Sequence, residues 1–216
     1  MKNFAKTSPI LTSILAVTVI FIIWCVGAAN TPDRDLVFVR DVPTSLDAKI
    51  LDQAMSNIAN WPTWHHMLEA AKVIDLRGLE YPAKDQVLAQ GELIKFKIEN
   101  PQKQWKRFEL VAELVEYQPQ KKIHLRLLKD STNRITHLFS TLEWTVEVMP
   151  NPSGQGTLIR GTAVAHTNHW RGRLFGIMAP RILMNQVFYP DLVKLGAVDQ
   201  ELEARRLGKP AGQSQL

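Results

Sequence analysis

The last long apolar stretch of the chain, residues 170–199, reads WRGRLFGIMAPRILMNQVFYPDLVKLGAVD. Leu174, Ile177 and Met178, then Met184, Val187 and Phe188, then Leu192 and Leu195 recur there at helical spacing. A helix with that much apolar surface must bury it against another element. The run of alternating segments between about residues 70 and 169 is the candidate partner. The pattern therefore predicts an α+β domain in which a curved antiparallel sheet closes on one long C-terminal helix, with a cavity between them. Pro180 and Pro190 interrupt that helix. An interior proline costs about 3 kcal/mol or more, so a bend is expected near Ala179-Pro180, with a second piece running through Leu195. Such a bend is a candidate gate for the cavity.

The preceding segments fit the picture. Residues 36–39 read as a first strand, stopped by Pro43-Thr44-Ser45, which also offers an N-cap. Residues 46–58 place Leu46, Ile50, Leu51, Ala54 and Ile58 on one helical face. Asn60-Trp61-Pro62-Thr63-Trp64 ends that helix, and Pro62 suits the first turn of a second, short one carrying Trp64, His65, His66 and Met67. Six strand-like segments follow: 71–76, 92–98, 107–117, 123–128, 136–149 and 157–169. In the fifth, Leu138, Leu142, Trp144, Val146 and Val148 share a face opposite Glu143 and Glu147. Short connections and one-sided alternation predict an antiparallel sheet with one wet face. Residues 201–216 read as a polar, disordered tail.

The other end of the chain is different in kind. Residues 10–29 read ILTSILAVTVIFIIWCVGAA, without a charge. At 1.5 Å per residue they span about 30 Å, the thickness of a bilayer core. Lys2 and Lys6 precede them, while Asp33, in the spacer 30–34, and Asp35 come after them. The positive-inside bias then leaves residues 1–9 cytoplasmic and the domain outside, in the periplasm if the cell is bacterial. Gly27-Ala28-Ala29 keeps a cleaved signal peptide open as the rival reading. The net charge is +5, and Lys2 and Lys6 supply two of those charges, leaving +3. That residue of charge does not argue for nucleic acid, and no recognition motif supports it. Cys25 is the single cysteine, so neither an intramolecular disulfide nor a cysteine-based metal site is available.

The order of elements is strand, two short helices, about six antiparallel strands and one long helix. With Val42-Pro43, Asn60-Trp61-Pro62-Thr63-Trp64, the strand around Gly161 and Pro190-Asp191-Leu192-Val193-Lys194-Leu195, it resembles the START-like superfamily, also described as SRPBCC or polyketide cyclase/dehydrase-like, over residues 35–200. The resemblance implies a helix-grip fold with a deep cavity between sheet and C-terminal helix. It also implies binding of lipids, sterols, polyketides or other apolar molecules, with cyclase or hydratase activity in a few members. It carries no family-wide catalytic motif.

Candidate chemistry is sparse. Trp64, Phe96, Trp144, Met178 and Met184 are the expected apolar contacts for a ligand, although Trp61 and Trp64 fit core anchors as well. Arg160 and His166 share strand parity with Leu158 and Val164, opposite Ile159, Gly161, Ala163 and Ala165. If the bulky set lines the cavity, they are its polar groups. If the small set faces the helix, both are solvated. His65 and His66, adjacent on a helix, point about 100° apart and chelate one metal poorly. His166 and His169 fall on opposite strand faces. No metal and no cofactor is expected. Ten positive and five negative charges between residues 95 and 134 leave +5, either a contact for anionic headgroups or a solvated sheet face. The expected function is a membrane-anchored binding domain for a hydrophobic ligand. The alternatives are a cyclase, dehydratase or hydrolase on such a substrate, and an envelope interaction module.

Overall fold

The computed structural model describes residues 9–30, 34–81, 88–99, 107–133, 135–154, 156–167, 169–178 and 188–198. Helix α1 (Pro9–Asn30) is followed by strand β1 (Arg34–Thr44), helix α2 (Ala48–Ser56), a 3-10 turn (Ile58–Asn60) and helix α3 (Trp61–Trp64). Strands β2 (Leu68–Ile74), β3 (Leu93–Ile98), β4 (Phe108–Gln118), β5 (Lys122–Asp130), β6 (Thr141–Pro150) and β7 (Thr157–Thr167) come next. Helices α4 (Trp170–Met178) and α5 (Tyr189–Leu195) close the domain.

The seven strands form one antiparallel sheet in the order β1-β7-β6-β5-β4-β3-β2. All neighbours are sequential except β1, which returns beside β7. Strand alternation sets the faces. In β7 every odd residue from Thr157 to Thr167 is buried and every even one is half-buried. In β3 Ile94, Phe96 and Ile98 point inward. In β6 Val146 and Val148 do so, and by the same parity so do Leu142 and Trp144. These inner faces pack on α2, α3 and α5 around Leu51, Ile58, Trp61, Leu192 and Leu195. Gly161 marks the closest approach. A Cβ there would lie 2.6 Å from Leu192 Cδ1, so the glycine lets α5 seat on the sheet.

Several boundaries differ from the sequence expectation for physical reasons. Strand β1 runs through Pro43 to Thr44 instead of stopping before it. It is an edge strand, where a missing N–H is tolerated. Helix α2 is capped by Asp47, whose carboxylate accepts from the Lys49 N–H at 3.1 Å, not by the Pro43-Thr44-Ser45 segment. Helix α3 ends at Trp64, one residue before the histidines it was expected to carry, and His65 is extended at φ −92°, ψ 103°. Residues 135–138 turn, so Leu138 leaves the strand face assigned to it, and β6 begins at Thr141. That turn is organised by Asp130, which accepts from the N–H groups of Thr132, Ile135 and Thr136.

The expected bend at Pro180 and the tail 201–216 lie outside the described residues. So does Met184, together with the side chain of Met178. The stretch expected to be an anchor is one helix of 22 residues. Among the described residues, however, no helix is long and apolar enough to cross a membrane.

Candidate functional site

The inner face of the sheet is not uniformly buried. Val146 is fully enclosed, but Trp144 and Leu142, two and four residues along β6, are half-buried. Met67, Phe108 and Leu110 are likewise only partly covered where they meet the core. The concave face therefore grades from a sealed aromatic core into an apolar rim that retains accessible surface.

The sealed part is held by two tryptophans. The indole N–H of Trp61 donates to the Met55 carbonyl at 2.7 Å, and that of Trp64 to the Ala54 carbonyl at 3.4 Å. Both bonds satisfy buried donors with carbonyls of the last turn of α2. Trp61 stacks on Phe96 with ring centroids 5.6 Å apart, and Trp64 tilts against Trp144 at 6.1 Å. Of the expected ligand contacts, Trp64 and Phe96 are thus packed inside the core, and Trp144 alone of the described ones reaches the rim.

Arg160 and His166 stand on the other face. The Arg160 guanidinium makes a bidentate pair with Asp41, both contacts at 2.8 Å, and His166 Nδ1 lies 2.8 Å from Asp35. The small parity of β7 faces α5, as the Gly161 contact requires, and that turns the bulky parity toward solvent. The two residues therefore do not supply polar groups to the cavity. The basic excess between residues 95 and 134 is also largely compensated across strands. Lys95 pairs with Glu80, Lys97 with Glu69, Arg107 with Glu99, Lys122 with Glu116, and Arg126 with Glu143. These five pairs, of the ten basic residues in that stretch, read as a solvated outer sheet face.

The polar groups beside the rim are different ones. Asp191 in α5 is 1% exposed. Its Oδ1 accepts from the His66 backbone N–H at 2.8 Å and lies 2.7 Å from His66 Nδ1. Its Oδ2 lies 3.2 Å from His65 Nδ1. The arrangement depends on the early end of α3. Because His65 is extended, the two adjacent rings run nearly parallel, 6.4 Å apart, instead of diverging as on a helix. Burial pushes the His65 pKa down, favouring the neutral imidazole, against the opposing pull of Asp191. The His65 ring meets Trp144 edge to face at 6.0 Å, which places it next to the half-buried apolar surface. A neutral imidazole backed by a buried carboxylate can exchange a proton, hydrogen-bond a ligand or hold a cation.

Asp191 was not singled out for chemistry by sequence reasoning, and the histidines were set aside as helical neighbours. A signal was present. Phe188, Asp191, Leu192 and Leu195 form one helical stripe, and an acid inside an apolar stripe needs a buried partner. A separate cleft of about 1000 Å³ lies at the α2 N-terminus, lined by Leu46, Gln118, Lys121, Met149 and Thr157 among others. It shares no residue with the rim or the histidines.

No protein-family model matches the sequence, and no curated protein matches it. Solved structures do match in three dimensions. The di-domain ARO/CYC StfQ of the steffimycin biosynthetic pathway aligns with a TM-score of 0.56 at 10% identity, covering 79% of this chain and 52% of that one. Ginseng major latex-like protein 151 from Panax ginseng aligns with a TM-score of 0.54 at 6% identity, covering 76% and 97%. Norcoclaurine synthase from Thalictrum flavum, in complex with dopamine and hydroxybenzaldehyde, aligns with a TM-score of 0.53 at 12% identity, covering 83% and 92%. The chain shares the helix-grip fold of these structures, the architecture that its order of elements resembles.

Proposed function

We propose that this chain is a membrane-tethered START-like domain that binds an apolar small molecule of the lipid or polyketide class on the concave face of its sheet. The observation that carries the reading is the half-buried apolar rim of Trp144, Met67, Phe108 and Leu110, packed against a sealed core. Ligand sites are concave, mostly apolar and furnished with a few convergent polar groups. His65 is such a group, meeting Trp144 edge to face with the Asp191 carboxylate behind it. The norcoclaurine synthase complex shows that this fold accommodates small aromatic molecules in another protein. Saturable binding of an apolar fluorophore to the full chain, weakened at least tenfold by Trp144→Arg, is the expected result. Binding that never saturates, or that ignores the substitution, overturns the reading.

The tether rests on α1. Its side chains carry no charge, and Ile14, Val17, Phe21 and Trp24 are about half-exposed along the helix. Its 22 residues measure about 33 Å along the axis, although no described helix has the length and apolarity of a membrane span. Exposed apolar surface of that extent calls for a lipid environment. The positive-inside bias of Lys2 and Lys6 supports a cytoplasmic N-terminus and an extracytoplasmic domain. The chain is expected to stay with membranes through alkaline carbonate extraction, with the domain open to protease only from the outer side. Release into the supernatant contradicts the tether.

An enzymatic reading has one observation in its favour. The neutral imidazole of His65, with the Asp191 carboxylate behind it, is a candidate acid–base pair beside the rim. Arg160 and His166, the groups first considered for that role, face away from it.

A further inference from the structure

We propose that His65, His66 and Asp191 bind one divalent d-block cation of the zinc class. Each residue offers one ligand atom, and the three atoms lie within 4.8 Å of one another. The separations from Asp191 oxygens to His66 Nδ1 and His65 Nδ1 are 2.7 and 3.2 Å. Ligands bonded tetrahedrally to one such cation at about 2.0–2.2 Å sit roughly 3.3–3.6 Å from each other, so the two Asp191–histidine separations open slightly and the widest pair of the set, within 4.8 Å, draws in. Two imidazoles with a carboxylate favour zinc and its neighbours over magnesium or calcium, which prefer oxygen throughout.

A purely hydrogen-bonded cluster leaves the geometry unexplained. His66 satisfies Oδ1 through its backbone N–H and its ring. Asp191 Oδ2 and His65 Nδ1 then face each other, and neither has a hydrogen-bond partner although both atoms are buried. An unpaired acceptor at a buried carboxylate is costly. A cation between Oδ2 and the Nδ1 lone pair satisfies both at once. His66 exchanges its ring hydrogen bond for a metal bond, its ring N–H then residing on Nε2, while its backbone N–H keeps hold of Oδ1. The His65 backbone N–H donates to the Trp61 carbonyl at 2.9 Å, which fixes the turn that presents both rings. Three protein ligands leave a coordination position for water or for an oxygen of a ligand lying on the Trp144 rim. The site stands on these residues alone and does not depend on the apolar-ligand reading.

The test uses the full chain in detergent, stripped with chelator and re-equilibrated with Zn²⁺, or with Co²⁺ as a visible probe. One equivalent of Zn²⁺ is expected, along with Co²⁺ ligand-field absorption that Zn²⁺ displaces. His65→Gln and Asp191→Asn are each expected to weaken binding at least tenfold. His137→Gln, at the separate His137–His169 ring contact, is expected to leave it unchanged. If Asp191→Asn fails to fold, His65→Gln decides. Uptake well below one equivalent overturns the proposal, as does wild-type affinity in a folded His65→Gln chain.

Discussion

Trp61 is fully buried, and its indole N–H has one partner, the Met55 carbonyl. Replacing it with alanine removes a stacked ring and leaves that carbonyl unpaired. The expected loss is about 3–5 kcal/mol, read as a lower midpoint in denaturant unfolding. Arg160 is also well paired, but in solvent, with its side chain 38% exposed. Exposed ion pairs contribute about 0–1 kcal/mol, so Arg160→Ala should shift the midpoint little and leave ligand binding unchanged. Loss of apolar-ligand binding in that variant would contradict the outward placement of β7's bulky residues. Asp130 behaves as a third kind. Burial alone would raise its pKa, but hydrogen bonds from Thr132, Thr136 and Ile135 bring it down from 3.8 to about 2. Its folded pKa lies below its unfolded one, so the stabilisation is present above about pH 4 and is lost as the pH falls toward 2. An Asp130→Asn chain should lack that acid-dependent step in an unfolding series. A step of the same size in both chains would show that another carboxylate carries it.

Among the elements, those with strong alternation were legible. Strands β3, β4 and β7 fall within two residues of the segments read from the sequence, and the inner residues of β6 from Leu142 to Val148 were read correctly. Periodicity is local, and these strands have a dry face and a wet face to record. What failed depended on neighbours distant in sequence. Pro43 sits within a strand because β1 is an edge, which only the return of β1 to β7 determines. His65 leaves the helix early and meets Asp191, which is more than 120 residues away, and no local pattern encodes that meeting. The parity of β7 was left open by its residues and is decided by Leu192 against Gly161. That contact yields its own expectation. Leu192 is 1% exposed and has little room to withdraw. Gly161→Ala should therefore cost about 1–3 kcal/mol through overpacking, measured by thermal unfolding. An unchanged melting temperature would show that α5 is free to shift off the sheet.

For the whole molecule, the fold positions three features together: a sealed aromatic core, a half-buried apolar rim, and a buried carboxylate holding two histidines beside that rim. An uncharged apolar helix precedes them in the chain. On the reading proposed above, the rim receives an apolar molecule. The most direct measurement of this is fluorophore titration of the full chain in lipid nanodiscs, comparing wild type with Trp144→Arg at matched unfolding temperature. Partition into lipid is common to both samples, so the difference between them reports the rim. A saturable component is expected in the wild type and its loss in the variant. Identical titrations in two folded chains would contradict it.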